Sequence, residues 1–136
     1  MNEYVKQAQD FLTSCSATME ITYTGMELNS NWKDKELRNT YFATITTPRG
    51  TMKVKFWDSI YNTERGIKPT EYDILACLEK YDVGTIDDFV SEFGFEVHKW
   101  ADVKRIENTY KAIVKEYQDI CRCFTPEQIE AMQEIQ

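Results

Sequence analysis

Between residues 17 and 57 apolar side chains recur with a period of two. From residue 70 onward they recur at helical spacing. That division constrains the fold more than any other feature of the chain. Residues 17–24 put Met19, Ile21 and Tyr23 on one side and Glu20, Thr22 and Thr24 on the other, as in a half-buried strand. Residues 40–57 predict a hairpin about Pro48-Arg49-Gly50, a type I turn closed by a left-handed glycine. A three-residue loop sets Thr47 opposite Thr51, Ile45 opposite Lys53, Ala43 opposite Lys55 and Tyr41 opposite Trp57. It assigns Phe42, Thr44, Thr46, Met52, Val54 and Phe56 to the core, and a slip of one residue reverses the faces. The polar stretch Leu28–Lys35 reads as a loop with Trp32 as its one large apolar residue, and residues 58–69 read as a connection.

Helices flank these strands. Tyr4, Val5, Ala8, Phe11 and Leu12 form one stripe near the N-terminus. Thr70 and Asp73 predict a capped helix carrying Ile74, Leu75, Leu78 and Tyr81, broken by Asp82-Val83-Gly84. Thr85 and Asp88 open a second, with Ile86, Phe89, Val90 and Phe93 as its stripe and Gly94 as its stop. A third, about 102–124, aligns Ile106, Tyr110, Ile113, Tyr117, Ile120 and Phe124. Thr125-Pro126-Glu127-Gln128 starts a fourth, carrying Ile129, Met132 and Ile135. Strands grouped ahead of helices specify an α+β fold. The expectation is a single domain over residues 1–136: a three-stranded antiparallel sheet made of a hairpin plus one strand, with an N-terminal helix and about four C-terminal helices packed on one face.

Charge is divided along the chain. Residues 1–29 carry net −3, residues 30–70 net +4 and residues 71–136 net −8, for a total of −7. An acidic chain disfavours nucleic-acid binding by its whole surface. No apolar run approaches the ~18 residues of a membrane span, and the N-terminal residues lack the layout of a secretion signal. The four cysteines, Cys15, Cys77, Cys121 and Cys123, are therefore expected as reduced thiols in a cytoplasm.

Catalytic motifs are sparse. His98 is the lone histidine, and neither a serine nor a cysteine motif attends it. The five glycines are scattered singly, so no phosphate-binding loop can be written. Cys121 and Cys123 invite a zinc reading with Cys77 or His98. On a helix, however, positions i and i+2 point about 200° apart, which sets the pair against a shared ion. The expectation is a protein that is not an enzyme and has neither cofactor nor metal. Two surfaces could bind a partner. Asp82, Asp87, Asp88, Glu92 and Glu96 form an acidic run with no basic residue between them. It suits a solvated helix face, the commonest reading of such a run, and also a surface that occupies a basic nucleic-acid channel. The alternative is the outer hairpin face, Tyr41, Arg49, Lys53, Lys55 and Trp57, whose basic and aromatic side chains could take a single nucleic-acid strand.

Residues 68–96, Lys-Pro-Thr-Glu-Tyr-Asp-Ile-Leu-Ala-Cys-Leu through Ser-Glu-Phe-Gly-Phe-Glu, are followed by Tyr110…Ile113-Val114-Lys115-Glu116 and a closing Glu-Gln-Ile-Glu-Ala-Met-Gln-Glu-Ile. This C-terminal half resembles a group of small uncharacterised proteins of phages and prophages of gut bacteria, which share a K-P-T-x-Y-D-x-L-A-C-L motif. The resemblance brings no catalytic residue. It implies a phage accessory product acting in the bacterial cytoplasm, of the kind that includes anti-CRISPR and other anti-defence inhibitors. The expected partner is a host nucleic-acid-handling defence protein such as a CRISPR effector.

Overall fold

The computed structural model describes residues 2–31, 34–59, 62 and 64–135, and at 29–31 and 34–36 the backbone alone. Helix α1 (Glu3–Ser14) is followed by β1 (Thr18–Asn31), β2 (Asp34–Thr47) and β3 (Gly50–Ser59). The helices α2 (Glu71–Cys77), α3 (Ile86–Phe93), α4 (Trp100–Cys123) and α5 (Pro126–Gln133) complete the chain. The sheet is antiparallel in the order β1-β2-β3. The expected α+β architecture holds.

The hairpin register differs from the sequence reading by one residue. Thr47 pairs with Gly50, Ile45 with Met52, Ala43 with Val54 and Tyr41 with Phe56, so the loop is Pro48-Arg49 alone. Gly50 is the first residue of β3, and it is not among the residues with positive φ. Proline holds φ negative at the first loop position, which bars the primed two-residue turns. Thr47 organises the loop instead: its Oγ1 accepts from the Arg49 N–H at 3.1 Å. The shift sends Tyr41, Ala43, Ile45 and Thr47 inward with Met52 and Val54, so apolar residues face apolar partners across the strands. Phe42, Thr44 and Thr46, assigned to the core from sequence, lie on the opposite face beside Lys53 and Lys55.

Two other boundaries moved. The expected loop at 28–35 is strand up to Asn31 and again from Asp34, and Trp32 lies outside the described residues. A bulge between Tyr23 and Gly25, with Gly25 at φ +111°, lets β1 keep its pairing with β2 over this length. Helix α2 stops at Cys77 instead of running to Tyr81. Beyond it the Glu79 N–H donates to Glu116 Oε1 at 3.2 Å, and the Lys80 carbonyl accepts from Gln133 Nε2 at 2.7 Å. Side chains from α4 and α5 thus take backbone groups that another helical turn would have used.

The capping predictions hold. Thr70, Thr85 and Thr125 close reciprocal boxes with Asp73, Asp88 and Gln128, and Gly94 ends α3 in the left-handed conformation at φ +65°. The main core joins Ala8, Phe11 and Leu12 of α1, Ala43, Ile45, Met52 and Val54 of the sheet, Ile74 and Leu75 of α2, and Ile120, Phe124 and Met132. A second, smaller cluster unites Val83, Phe89 and Ile106, with Val90, Tyr110, Ile113 and Val114 packed on it. Helix α4 serves both: its C-terminal end packs in the first cluster and its N-terminal half in the second.

The C-terminal turn of α4 meets the hairpin loop. Thr47 Oγ1 donates to the Cys123 carbonyl at 2.8 Å, Arg49 Nε donates to the Arg122 carbonyl at 3.3 Å, and Arg122 Nη2 donates to the Thr51 carbonyl at 3.0 Å. Carbonyls in the last turn of a helix have no partner within it, and a buried one left unmatched is costly. Replacing Thr47 by valine is therefore expected to cost about 1–3 kcal/mol. Thr46→Val, on the outer face, should stay within about 0.5 kcal/mol of wild type. Urea unfolding midpoints of the two variants check the difference.

Candidate functional site

The chain from α3 to the start of α4 places aromatic rings beside carboxylates. Phe89 is the buried anchor, with ring centroids 5.0 Å from Phe93, 5.1 Å from Phe95 and 5.7 Å from Tyr110. Outside that anchor every residue from Ser91 to Ala101 is exposed. Phe93, Phe95 and Val97 are about half-exposed, and Trp100 is 74% exposed at the first position of α4. Four large apolar side chains turned outward within eight residues exceed what scattered surface residues require, and such clusters mark contact surfaces.

The five acidic residues singled out from sequence are all exposed, but they are not equivalent. Asp88 is engaged in the α3 cap, accepting from the Thr85 N–H at 3.2 Å, and Asp82 accepts from the Gly84 N–H at 2.9 Å. Glu96 Oε2 lies 3.0 Å from Nε2 of His98, both well exposed. Asp87 sits in the first turn of α3, where the helix dipole favours negative charge. Glu92 immediately precedes Phe93. Glu92 and Glu96 thus flank Phe93 and Phe95 on one exposed segment, in which Lys99 precedes Trp100.

A buried carboxylate that the sequence reading missed sets this segment's path. Asp102 is 2% exposed; its Oδ2 accepts from the N–H groups of His98 at 3.0 Å and Lys99 at 3.2 Å, and its Oδ1 accepts from Arg105 Nη2 at 3.3 Å. These bonds fold residues 95–99 back on the head of α4 and so aim Phe95, Val97 and Trp100. The available signal was Asp three residues after Lys99, a cap without a hydroxyl. Phe95, Val97 and Trp100 were missed because Phe-Gly-Phe-Glu-Val-His-Lys-Trp follows no helical period.

The outer hairpin face does not assemble as expected. Tyr41 is 6% exposed and lies on the helix side, where it lines a pocket of about 420 Å³ with Ile21, Tyr23, Lys68 and Pro69. The one-residue register shift is the cause, and Phe42 occupies the outer face in its place. Arg49 is bound to the α4 carboxyl end rather than standing at a free tip. Lys53 is exposed. Lys55 pairs with Glu27 Oε2 at 2.7 Å and lies 5.4 Å from the Trp57 ring centre. That pairing, chiefly the Lys55 hydrogen bond, holds the Glu27 carboxyl below its ordinary range. The charge of Lys55 is therefore matched internally, and Arg49 is held by a backbone carbonyl.

The cysteines are dispersed. Cys121 is exposed, whereas Cys123 is buried with its Sγ beside Gly50. Cys77 is an exposed residue whose thiol turns inward to donate to the Ile74 carbonyl at 3.1 Å, and burial of that thiol pushes it up to about 11. Among the described residues no three His, Cys, Asp or Glu side chains gather as metal ligands, and no helix is long and apolar enough to cross a membrane. No family model, curated protein or solved structure matches the chain.

The His98 and Lys99 N–H groups, with Arg105 nearby, hold the Asp102 carboxyl below its ordinary value of 3.8. A carboxylate whose folded value is depressed stabilises the fold fully above its unfolded value, and that contribution is lost as pH falls through the lowered one. Asp102→Asn should therefore lower the melting temperature at pH 7, and the gap from wild type should close progressively below pH 3.8. Thermal unfolding across pH 2–7 measures it.

Proposed function

We propose that this protein is non-enzymatic and acts by docking. The exposed rings of Phe93, Phe95 and Trp100, interleaved with Asp87, Glu92 and Glu96, would settle on a basic surface of another protein. The observation that carries this reading is the outward pair Phe93 and Phe95 flanked by Glu92 and Glu96, with Trp100 exposed four residues on. Apolar rings supply contact area and desolvation. The carboxylates steer the encounter and reject acidic partners. A groove that normally holds a nucleic-acid backbone presents lysines and arginines in rows, so it is the kind of basic surface such a face fits. With the resemblance to phage accessory proteins, this leads to a host nucleic-acid-handling defence protein, such as a CRISPR effector, as the target.

The outer sheet face remains a second, weaker candidate for a single nucleic-acid strand. Phe42, Trp57 and Lys53 are exposed on it, but Glu20 and Glu27 share that face.

Cleavage by a panel of purified CRISPR effectors, with and without the protein, tests the main reading. The expected result is inhibition of at least one effector, relieved at high salt. The double variant Asp87→Lys/Glu92→Lys leaves the α3 cap intact and should weaken inhibition by on the order of tenfold or more. Trp57→Ala should leave it unchanged. Unaltered cleavage across the panel, or inhibition indifferent to the charge reversal, contradicts docking by this face.

A further inference from the structure

A different site lies where α2 ends, beneath α4 and α5. Lys80 is only 4% exposed, its Nζ is shielded from solvent, and that atom has no hydrogen-bond partner among the described residues. Its backbone is pinned, because the Lys80 carbonyl accepts from Gln133. Two pockets are lined in part by this residue. One, of about 510 Å³, runs along Cys77, Leu78 and Tyr81. The other, of about 290 Å³, is bounded by Phe124, Pro126 and Ile129. Lys80 and Gln133 line both.

An ammonium taken out of water without a partner is strongly disfavoured, and lysine brings three donors that need acceptors. Burial lowers the pKa of the Lys80 ammonium from its ordinary value, Cys77 and Glu79 oppose that shift, and no described group hydrogen-bonds Nζ, so a bound anion would restore the charged form. At the N-terminus of α5 the Thr125 and Gln128 N–H groups are already taken within the capping box, at 2.9 and 3.2 Å. Glu79 and Glu130 border the pockets and would repel a second negative charge. One point cation between partly apolar walls matches one compact anion on a small apolar body.

We infer that the pockets lined by Lys80 bind a small monocarboxylate, whose carboxylate accepts from Nζ while its alkyl part lies between Pro126 and Ile129. Nζ is shielded as it stands, so binding requires it to turn about the last bonds of the lysine stem toward the ligand. The site is separate from the docking face and does not depend on that reading.

Thermal unfolding of the whole protein with butyrate and with its neutral isostere butyramide tests the inference. Butyrate should raise the melting temperature saturably at concentrations up to about 50 mM, and butyramide should not. Lys80→Met keeps the stem without the charge; it should fold and lose the butyrate response. Should that variant not fold, the ¹³Cε resonance of Lys80 in the wild-type protein serves instead, and it should move with butyrate and stay still with butyramide. A parallel arm compares a short peptide bearing a free C-terminal carboxylate with its amide. A response to the peptide acid alone keeps the carboxylate chemistry and makes a chain terminus its source. No saturable response to either acid, an equal response to the neutral partners, or an undiminished response in Lys80→Met overturns the assignment.

Discussion

The join between the β2–β3 loop and the C-terminal turn of α4 is the contact on which the rest of the architecture depends. A helix end inside a protein leaves carbonyls that need donors, and a tight two-residue loop has polar groups of its own to satisfy. Here each meets the other's need. The Thr47 hydroxyl takes the Arg49 N–H and gives its proton to Cys123, and the two arginines cross to the opposite backbone. Ile120, Phe124 and Met52, fully or almost fully buried, lie beside this polar join, so water does not compete for the Thr47–Cys123 bond, while the two arginine bonds lie at the surface. Sheet and helices, distant in sequence, are fastened at this point.

From that point α4 extends about 36 Å at the usual rise per residue. Its length separates two apolar clusters, one closed against the sheet and one shared with α3. The smaller cluster has few fully buried residues, and its rim is where aromatic side chains turn outward. A short helix cannot cover every ring that its own anchor gathers. Phe89 therefore holds Phe93 and Phe95 in place without hiding them, and Asp102 sets the path of the segment between the two helices. Rings held by packing and by backbone hydrogen bonds lose little further freedom on association, which favours a contact role.

Much of the fold was legible in the residues. Threonine caps with an acid or glutamine three positions later, and a glycine after Phe93, marked helix ends because these signals act through neighbouring backbone groups alone. The hairpin was legible in kind but not in register. Pro-Arg-Gly fits two loop lengths, and the choice turns on which cross-strand pairs gain from burial. Ile45 against Met52 and Ala43 against Val54 win over Ile45 against Lys53 and Ala43 against Lys55, a preference that strand alternation taken one strand at a time does not express. Tyr41 was misplaced for that reason alone. The acidic run was found by composition, but its division into capping residues and residues open to a partner was not.

Fold class, element order and the three threonine caps could be read from the residues alone, because periodicity and capping are local and each is specified within a few residues. Tertiary structure decided the strand register, the early end of α2, the exposure of Trp100 and the burial of Asp102 and Lys80. Each of these depends on groups far apart in the chain competing for the same donors, acceptors and apolar area, and that competition is resolved only when the elements are packed together.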